Sequence, residues 1–228
     1  MAAIDKIRKL LDKAASTEFA PEAESLLAAA SALMAKHNIE DAEIRASRNI
    51  TSEIVSEVVT LEGKYLKYRQ LAFAQIVSSL GIETVLAGDN KIHCFGTRSM
   101  IDNALAIATM AELHMLVELP KNAPRDVSPG IVRKYNAGFI QGFGARLSRK
   151  LRDAQKVETE NTEVSTSAAL VLVDDKSRIE EALNIAFPNL TFRPSADIKS
   201  KVGYLAGTSA ANSFNTNSAI DTSRLELQ

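Results

Sequence analysis

The densest chemistry in this 228-residue sequence is a run of cations. Between Ile131 and Lys156 stand Arg133, Lys134, Arg146, Arg149, Lys150, Arg152 and Lys156, against a single acid, Asp153. Arg146, Arg149, Lys150 and Asp153 follow at i, i+3, i+4 and i+7, a spacing that puts side chains on one helix face. Such clusters hold phosphate backbones by releasing condensed counterions. The plainer alternative is a solvated face, or pairing with acids such as Glu158 and Glu160. No zinc-finger, RNP or basic-zipper pattern accompanies the cations.

The other reactive residue types are scattered. His37, His93 and His114 fall in no H-E-x-x-H or H-x-H arrangement. His37 is expected in the last turn of a helix, where its charge complements the dipole. His93 and Cys94 are neighbours on an expected strand and so point to opposite faces, a poor shared metal pair. His114 precedes Met115 on a long amphipathic helix. No metal site and no cofactor is expected. Cys94 is the single cysteine, which excludes an internal disulfide and fits a reducing cytosol. Beside Phe95 it is expected to be buried and inert. There is no G-x-S-x-G, Walker or G-x-G-x-x-G loop, and Gly142-Phe143-Gly144 lies inside an expected helix, the wrong context for a dinucleotide. Asp174-Asp175 and Glu180-Glu181 read as acids at a helix start. No catalytic residue is assigned.

One internal echo links two helices. Tyr135-x-x-Gly138-x-x-x-Gly142 resembles Tyr204-x-x-Gly207-x-x-x-Ala211. A helical glycine costs about 1 kcal/mol relative to alanine. Gly138, Gly142 and Gly144 therefore imply a compensating close approach of a neighbouring helix or strand. If the two Tyr-Gly helices pack together, Tyr135, Tyr204, Arg193 and Asn212 could converge on a small ligand.

The elements that must position these residues are mostly helical. Ile4, Ile7, Leu10, Leu11 and Ala14 repeat at helical spacing. A second helix is expected from Pro21 through Met34 to His37, with Asn38 stopping it and a short segment, 40–46, trailing. Residues 52–61 read as a strand. Leu66 to Leu80 read as a helix ended by Gly81. Residues 83–87 and 91–95 flank Gly88-Asp89-Asn90 as a β-hairpin. Ser99 and Asp102 match a capping box for a helix that Pro120 stops. Residues 120–130 read as a loop, the basic helix spans 132–156, and 157–166 reads as a mobile polar link. Ala168 to Val173 is a short β-prone run. Ser177 to Phe187 reads as a helix ended by Pro188, 190–194 as extended chain, and 198–212 as a last helix before a polar tail.

Composition bounds the class. The chain is 46% hydrophobic but 5% aromatic and lacks Trp, so its core must rest on Leu, Ile, Val and Ala. With 27 basic and 28 acidic residues, the net charge of −1 gives no global sign of nucleic-acid affinity. The N-terminus lacks a signal-peptide pattern, and no stretch of about 18 uninterrupted apolar residues marks a membrane span. A cytoplasmic protein is expected.

Lys6-Ile7-Arg8-Lys9-Leu10-Leu11, then Glu22-Ala23-Glu24 through Met34-Ala35-Lys36-His37-Asn38-Ile39 and Asp41-Ala42-Glu43-Ile44, resemble the start of a bacterial and phage family of unknown function. Residues 65–214 resemble a second uncharacterised domain that commonly follows it, through Tyr135-Asn136-Ala137-Gly138-Phe139 and Gly203-Tyr204-x-Ala206-Gly207. The resemblance implies a phage, prophage or bacterial accessory protein. It implies no activity and no site residues.

The expected fold is α+β: an N-terminal helical hairpin at 1–46, then a mainly helical domain at 47–228 with a small antiparallel β-sheet. The expected function is nucleic-acid (polyanion) binding through the basic helix. A module that docks a host or phage protein through its Ala-rich N-terminal helix is the alternative. An enzyme or small-ligand binder using Tyr135, Tyr204, Arg193 and Asn212 is the third. A homo-oligomer is compatible with all three.

Overall fold

In the computed structural model, residues 6, 7, 9, 10, 13, 20–88, 90–191 and 197–212 are described. The elements in chain order are α1 (Ala20–Arg48), β1 (Ile54–Thr60), α2 (Leu66–Ser78), β2 (Glu83–Leu86), β3 (Lys91–Thr97), α3 (Arg98–Asn122), α4 (Pro129–Asn161), α5 (Thr166–Ala186) and α6 (Lys201–Asn212). The fold is α+β and mainly helical, with one three-stranded antiparallel sheet ordered β1-β3-β2.

The sheet forms as the alternation requires. In β3, Ile92 and Cys94 face the main core, while Phe95 joins Val85 on the opposite face. Cys94 and His93 thus point apart: Cys94 is buried and the His93 ring meets Phe187 edge-on at 4.9 Å. Val58 of β1 and Val85 of β2 both stand opposite His93. Ile179, Ala182 and Leu183 of α5, with Phe187 just past its end, cover one sheet face. Helices α2 and α3 cover the other through Phe73, Ile76, Val77 and Ile101.

Helix α4 runs through the centre of the helical layer. Phe139, Ile140, Phe143, Leu147 and Leu151 are all buried, each burial worth roughly 1.5–3 kcal/mol. Its glycines are where neighbours come closest. A Cβ on Gly144 would overlap Ala72 of α2, and one on Gly142 would overlap the Tyr204 carbonyl of α6. Gly203 and Gly207 of α6 lie in the same way against the Tyr135 and Phe139 carbonyls. The sequence echo is therefore a backbone-to-backbone helix contact. Ser200 lies at Gly138, Tyr204 at Gly142 and Asn212 at Arg146, so the two helices run in the same direction. Gln141 fixes the entry to α6: its Nε2 donates to the Asp197 carbonyl at 3.1 Å and its Oε1 accepts from the Lys199 amide at 3.1 Å.

Several local expectations are overturned. Asn38 does not stop a helix, and 40–46 is not a separate segment; α1 continues to Arg48. Ile39 and Ala42 are buried beyond Asn38 and prolong the packed face. The left-handed terminator is Asn49 instead, at φ 51°, with the Ile50 amide bonded to the Arg45 carbonyl. Ser99 does not cap α3, which begins one residue earlier after Thr97 with no side-chain cap. Pro120 does not stop α3 either. The exposed proline sits in its last turn, and Asn122 ends it by donating to the Glu118 carbonyl at 2.9 Å. Residues 157–161 continue α4 rather than forming a link.

The β-prone run 168–173 is helical. Ser165 caps α5 by accepting from the Ala168 amide at 3.1 Å, and Ala168, Asp175 and Ile179 form its buried stripe. Asp174-Asp175 and Glu180-Glu181 consequently lie within α5, not at a helix start. Helix α6 begins at Lys201 rather than 198. Residues 192–194 of the expected extended segment and the polar tail lie outside the described residues.

The boundary expected at residue 46 falls in the last turn of α1. That helix buries Ala30, Ser31, Met34, Ala35, Ile39 and Ala42, and the Ser31 hydroxyl donates to the Leu151 carbonyl of α4. Of the Ala-rich run, Ala30 is thus packed inside the same chain, while Ala28 and Ala29 are exposed. The described positions 6, 7, 9, 10 and 13 are helical, with Ile7 buried in the main core. Among the described residues α3 alone is long and apolar enough to cross a membrane by length and composition. Here its Ile101, Ile107, Ala108, Ala111 and Met115 are core.

Candidate polyanion-binding surface

The seven cations divide between the two ends of α4. Arg133 and Lys134 are exposed in its first turns, about 18 Å along the axis from Arg146 at 1.5 Å per residue. Between them, residues 135–140 and 142–144 are buried, because α2 and α6 press on the helix there. Beyond Arg146 one face of α4 is open, while Leu147, Ser148 and Leu151 are buried on the other. Arg149, Arg152 and Lys156 are exposed, and Arg146 and Lys150 are half-buried. These five occupy about 15 Å of helix and roughly half its circumference, with Asp153 the one acid among them.

Arg146 and Lys150 owe their position to α6. Arg146 Nε donates to Asn212 Oδ1 at 2.6 Å, and Lys150 Nζ donates to the Ala211 carbonyl at 3.4 Å. Both acceptors are neutral and belong to the C-terminal end of α6, where the helix dipole favours positive charge. Lys156 Nζ stands 3.8 Å from Glu160; at that exposure the pair contributes little.

Tyr135, Tyr204 and Asn212 are spread along the contact between α4 and α6. Tyr135 is buried, and burial pushes its phenol pKa up. Tyr204 is half-buried; Asn212 lies two turns further along α6 and holds Arg146. Arg193 lies outside the described residues. Along this contact the two motifs meet through backbone at their glycines.

A second feature escaped the sequence reading. Arg45 of α1 is buried and makes a bidentate pair with Asp175 of α5, at 3.1 Å from Nη1 and 2.7 Å from Nη2, while its Nε donates to Asp41 at 2.7 Å. Burial opposes the guanidinium charge, but the hydrogen bonds to Asp175 and Asp41 outweigh it and the Arg45 pKa lies above its ordinary value. Arg178 Nη1 approaches Asp175 at 3.7 Å and Asp174 at 4.0 Å, and its Nη2 donates to the Ser52 carbonyl at 2.7 Å. Glu43 completes the joint by accepting from the Ser165 amide and hydroxyl at 2.8 and 2.7 Å, bonds that lower its pKa. The ion pair separates two hollows. One, about 330 Å³, is lined by Asn49, Ile50, Leu170, Val171 and Asp174. The other, about 230 Å³, is lined by Asn38, Glu83, Met100, Leu172 and Lys176. The local signals for this network were the i,i+4 spacings of Asp41 with Arg45 and Asp174 with Arg178 and the i,i+3 spacing of Asp175 with Arg178.

Among the described residues no group of three or more His, Cys, Asp or Glu gathers that could hold a metal ion. Burial and the Glu57 charge push the Cys94 thiol up to about 11, so it is no nucleophile at neutral pH. No curated protein and no solved structure matches this chain. Residues 2–41, which carry the K-I-x-x-L-L and M-A-K-H-x-I motifs, match the model of a family described as a protein of unknown function (DUF2786).

Proposed function

We propose that this chain is an accessory protein of a phage or bacterium that binds nucleic acid through its phosphate backbone in the cytoplasm. The observation that carries this reading is the outer half of α4 beyond Arg146. Five cations share about 15 Å of helix there, and Arg149, Arg152 and Lys156 among them are exposed. Such a surface presents donors to phosphates without reading base edges. The test is fluorescence anisotropy of labelled duplex and single-stranded oligonucleotides with the full chain at low salt. Binding that falls steeply with added salt is expected. No binding by folded protein at low salt discards the reading.

A second reading, docking of a host or phage protein, is favoured by the large apolar side chains left exposed around the α1–α5 hollow.

A further inference from the structure

The arginines that hold this fold together spend the whole guanidinium. Arg45 directs all three nitrogens at Asp41 and Asp175. Arg69 directs its three at Glu112 and at the Glu62 and Lys64 carbonyls. Arg146 differs from both. Its Nε donates to Asn212 Oδ1 at 2.6 Å, and among the described residues its Nη1 and Nη2 meet no acceptor. The acceptor is a neutral amide, so it holds the side chain without cancelling its charge.

A guanidinium is planar, so a hydrogen bond at Nε fixes the plane. The Nη1–Nη2 edge is then left as a fork of parallel donors that matches two oxygens of a phosphate. Asn212 is in turn set by the helix contact. Gly142 against the Tyr204 carbonyl and Gly207 against the Phe139 carbonyl fix the register of α6 on α4. That register brings Asn212, the last residue of α6, to Arg146. The tyrosine–glycine echo thus ends in a residue that touches the cationic face.

Resting on the reading of α4 as a phosphate-binding surface, we propose that Asn212 is a positioning residue for nucleic acid. It holds Arg146 so that the Nη1–Nη2 edge takes one backbone phosphate bidentately. Arg149 and Arg152 are exposed and bonded to no described residue. Each must order a long side chain on binding, whereas Arg146 is ordered beforehand.

The test is anisotropy of a labelled DNA duplex against the full chain over a range of salt, with urea unfolding of each variant. Asn212→Ala is expected to weaken binding about three- to tenfold, the cost of ordering one long side chain. Its salt slope should match wild type, because the Arg146 charge remains. Asn212→Asp keeps the acceptor but neutralises the guanidinium, and should weaken binding and reduce the magnitude of the slope by about 0.9. Arg146→Lys keeps the charge without the fork and should weaken binding at unchanged slope. In the Arg146→Ala background, Asn212→Ala is expected to change affinity by less than about twofold, because the two residues act as one unit. A merely structural Asn212 would lower affinity by the same factor in both backgrounds, and that result overturns the proposal. Wild-type affinity in folded Asn212→Ala overturns it too. If Arg146→Ala binds duplex as well as wild type does, the phosphate reading stands on the other cations and positioning by Asn212 is wrong. If the folded wild type binds no duplex at low salt, the phosphate reading falls and the proposal falls with it.

Discussion

Gly207 of α6 rests directly on the backbone carbonyl of Phe139 in α4, so closely that a side chain of any size at 207 would overlap the oxygen. Gly142 repeats the contact from the other helix, against the carbonyl of Tyr204. Without Cβ atoms at these points the two backbones can approach and bury Phe139, Phe143, Ala210 and Ala211 between them and the core. The entropic cost of helical glycine is offset by that burial.

The sign of a Gly→Ala change should therefore depend on position. At an open helix site alanine stabilises by up to about 1 kcal/mol. Gly130, in the first turn of α4, has only the Ser128 hydroxyl within 4 Å of a built Cβ, at 3.9 Å, and Gly130→Ala is expected to be neutral or mildly stabilising. Gly142→Ala and Gly207→Ala must push backbone atoms apart and are expected to destabilise by about 1–3 kcal/mol despite the propensity gain. Urea denaturation of the three variants decides it. A stabilised Gly207→Ala would mean that α6 does not sit on α4 in this way.

What was legible in the sequence was what local pattern dictates. The hairpin around Gly88–Asn90, the α3 stripe and the tyrosine–glycine echo all express a period or a turn requirement. The failures arose where tertiary contact overrode a local sign. Val171 and Val173 suggested a strand, yet the Ser165 cap and the buried stripe Ala168–Asp175–Ile179 hold them in helix. Asn38 suggested a stop, but burial of Ile39 and Ala42 carries α1 past it. Of the candidate site, the cations and the gap between Lys134 and Arg146 were visible; the seating of Arg146 and Lys150 was not, since it follows from where α6 ends. Arg45 and Asp175 are 130 positions apart, and nothing in either neighbourhood announces the other.

That pair is the main polar joint between α1 and α5. Asp175→Asn keeps the shape but removes one of the two carboxylates that compensate the buried Arg45, leaving Asp41, and is expected to cost up to about 3 kcal/mol. Replacing both partners, Arg45→Met with Asp175→Leu, is expected to recover most of the loss, because the desolvation cost of two ions disappears with them. Thermal and urea unfolding of the single and double variants give the coupling. Equal stability of wild type and Asp175→Asn would show that Asp41 alone compensates Arg45.

Cys94 makes stability depend on alkaline pH. Its side chain is fully buried, and its pKa is pushed up to about 11. The group's folded pKa lies above its unfolded one, so its contribution is complete below the unfolded thiol pKa and is lost as pH rises through 11. The size is about 2–3 kcal/mol for a shift of this order. Stability measured from pH 8 to 11 is expected to fall more in wild type than in Cys94→Ala, once each is referred to its own value at pH 8. In the same protein the thiol is expected to react with Ellman's reagent only on unfolding. Rapid modification of the native chain at neutral pH would place Cys94 at the surface.

The division of the cations can be read from salt dependence. Each phosphate neutralised on duplex DNA contributes about −0.9 to the slope of log K against log salt. If Arg149, Arg152 and Lys156 each hold one phosphate, the slope is at least about −2.7, and Arg149→Ala with Arg152→Ala should reduce its magnitude by about 1.8. Arg133→Ala with Lys134→Ala, at the far end of α4, should leave it nearly unchanged. Arg146→Ala should weaken binding and also lower stability by about 0.5–1.5 kcal/mol, because it removes the hydrogen bond to Asn212 at the end of α6. The exposed pair Arg149 and Arg152 should change affinity with stability held within about 0.5 kcal/mol. A slope that drops equally for the two double variants would mean that DNA contacts both ends of the helix. A slope near zero for the wild type would mean that these cations meet no phosphates at all.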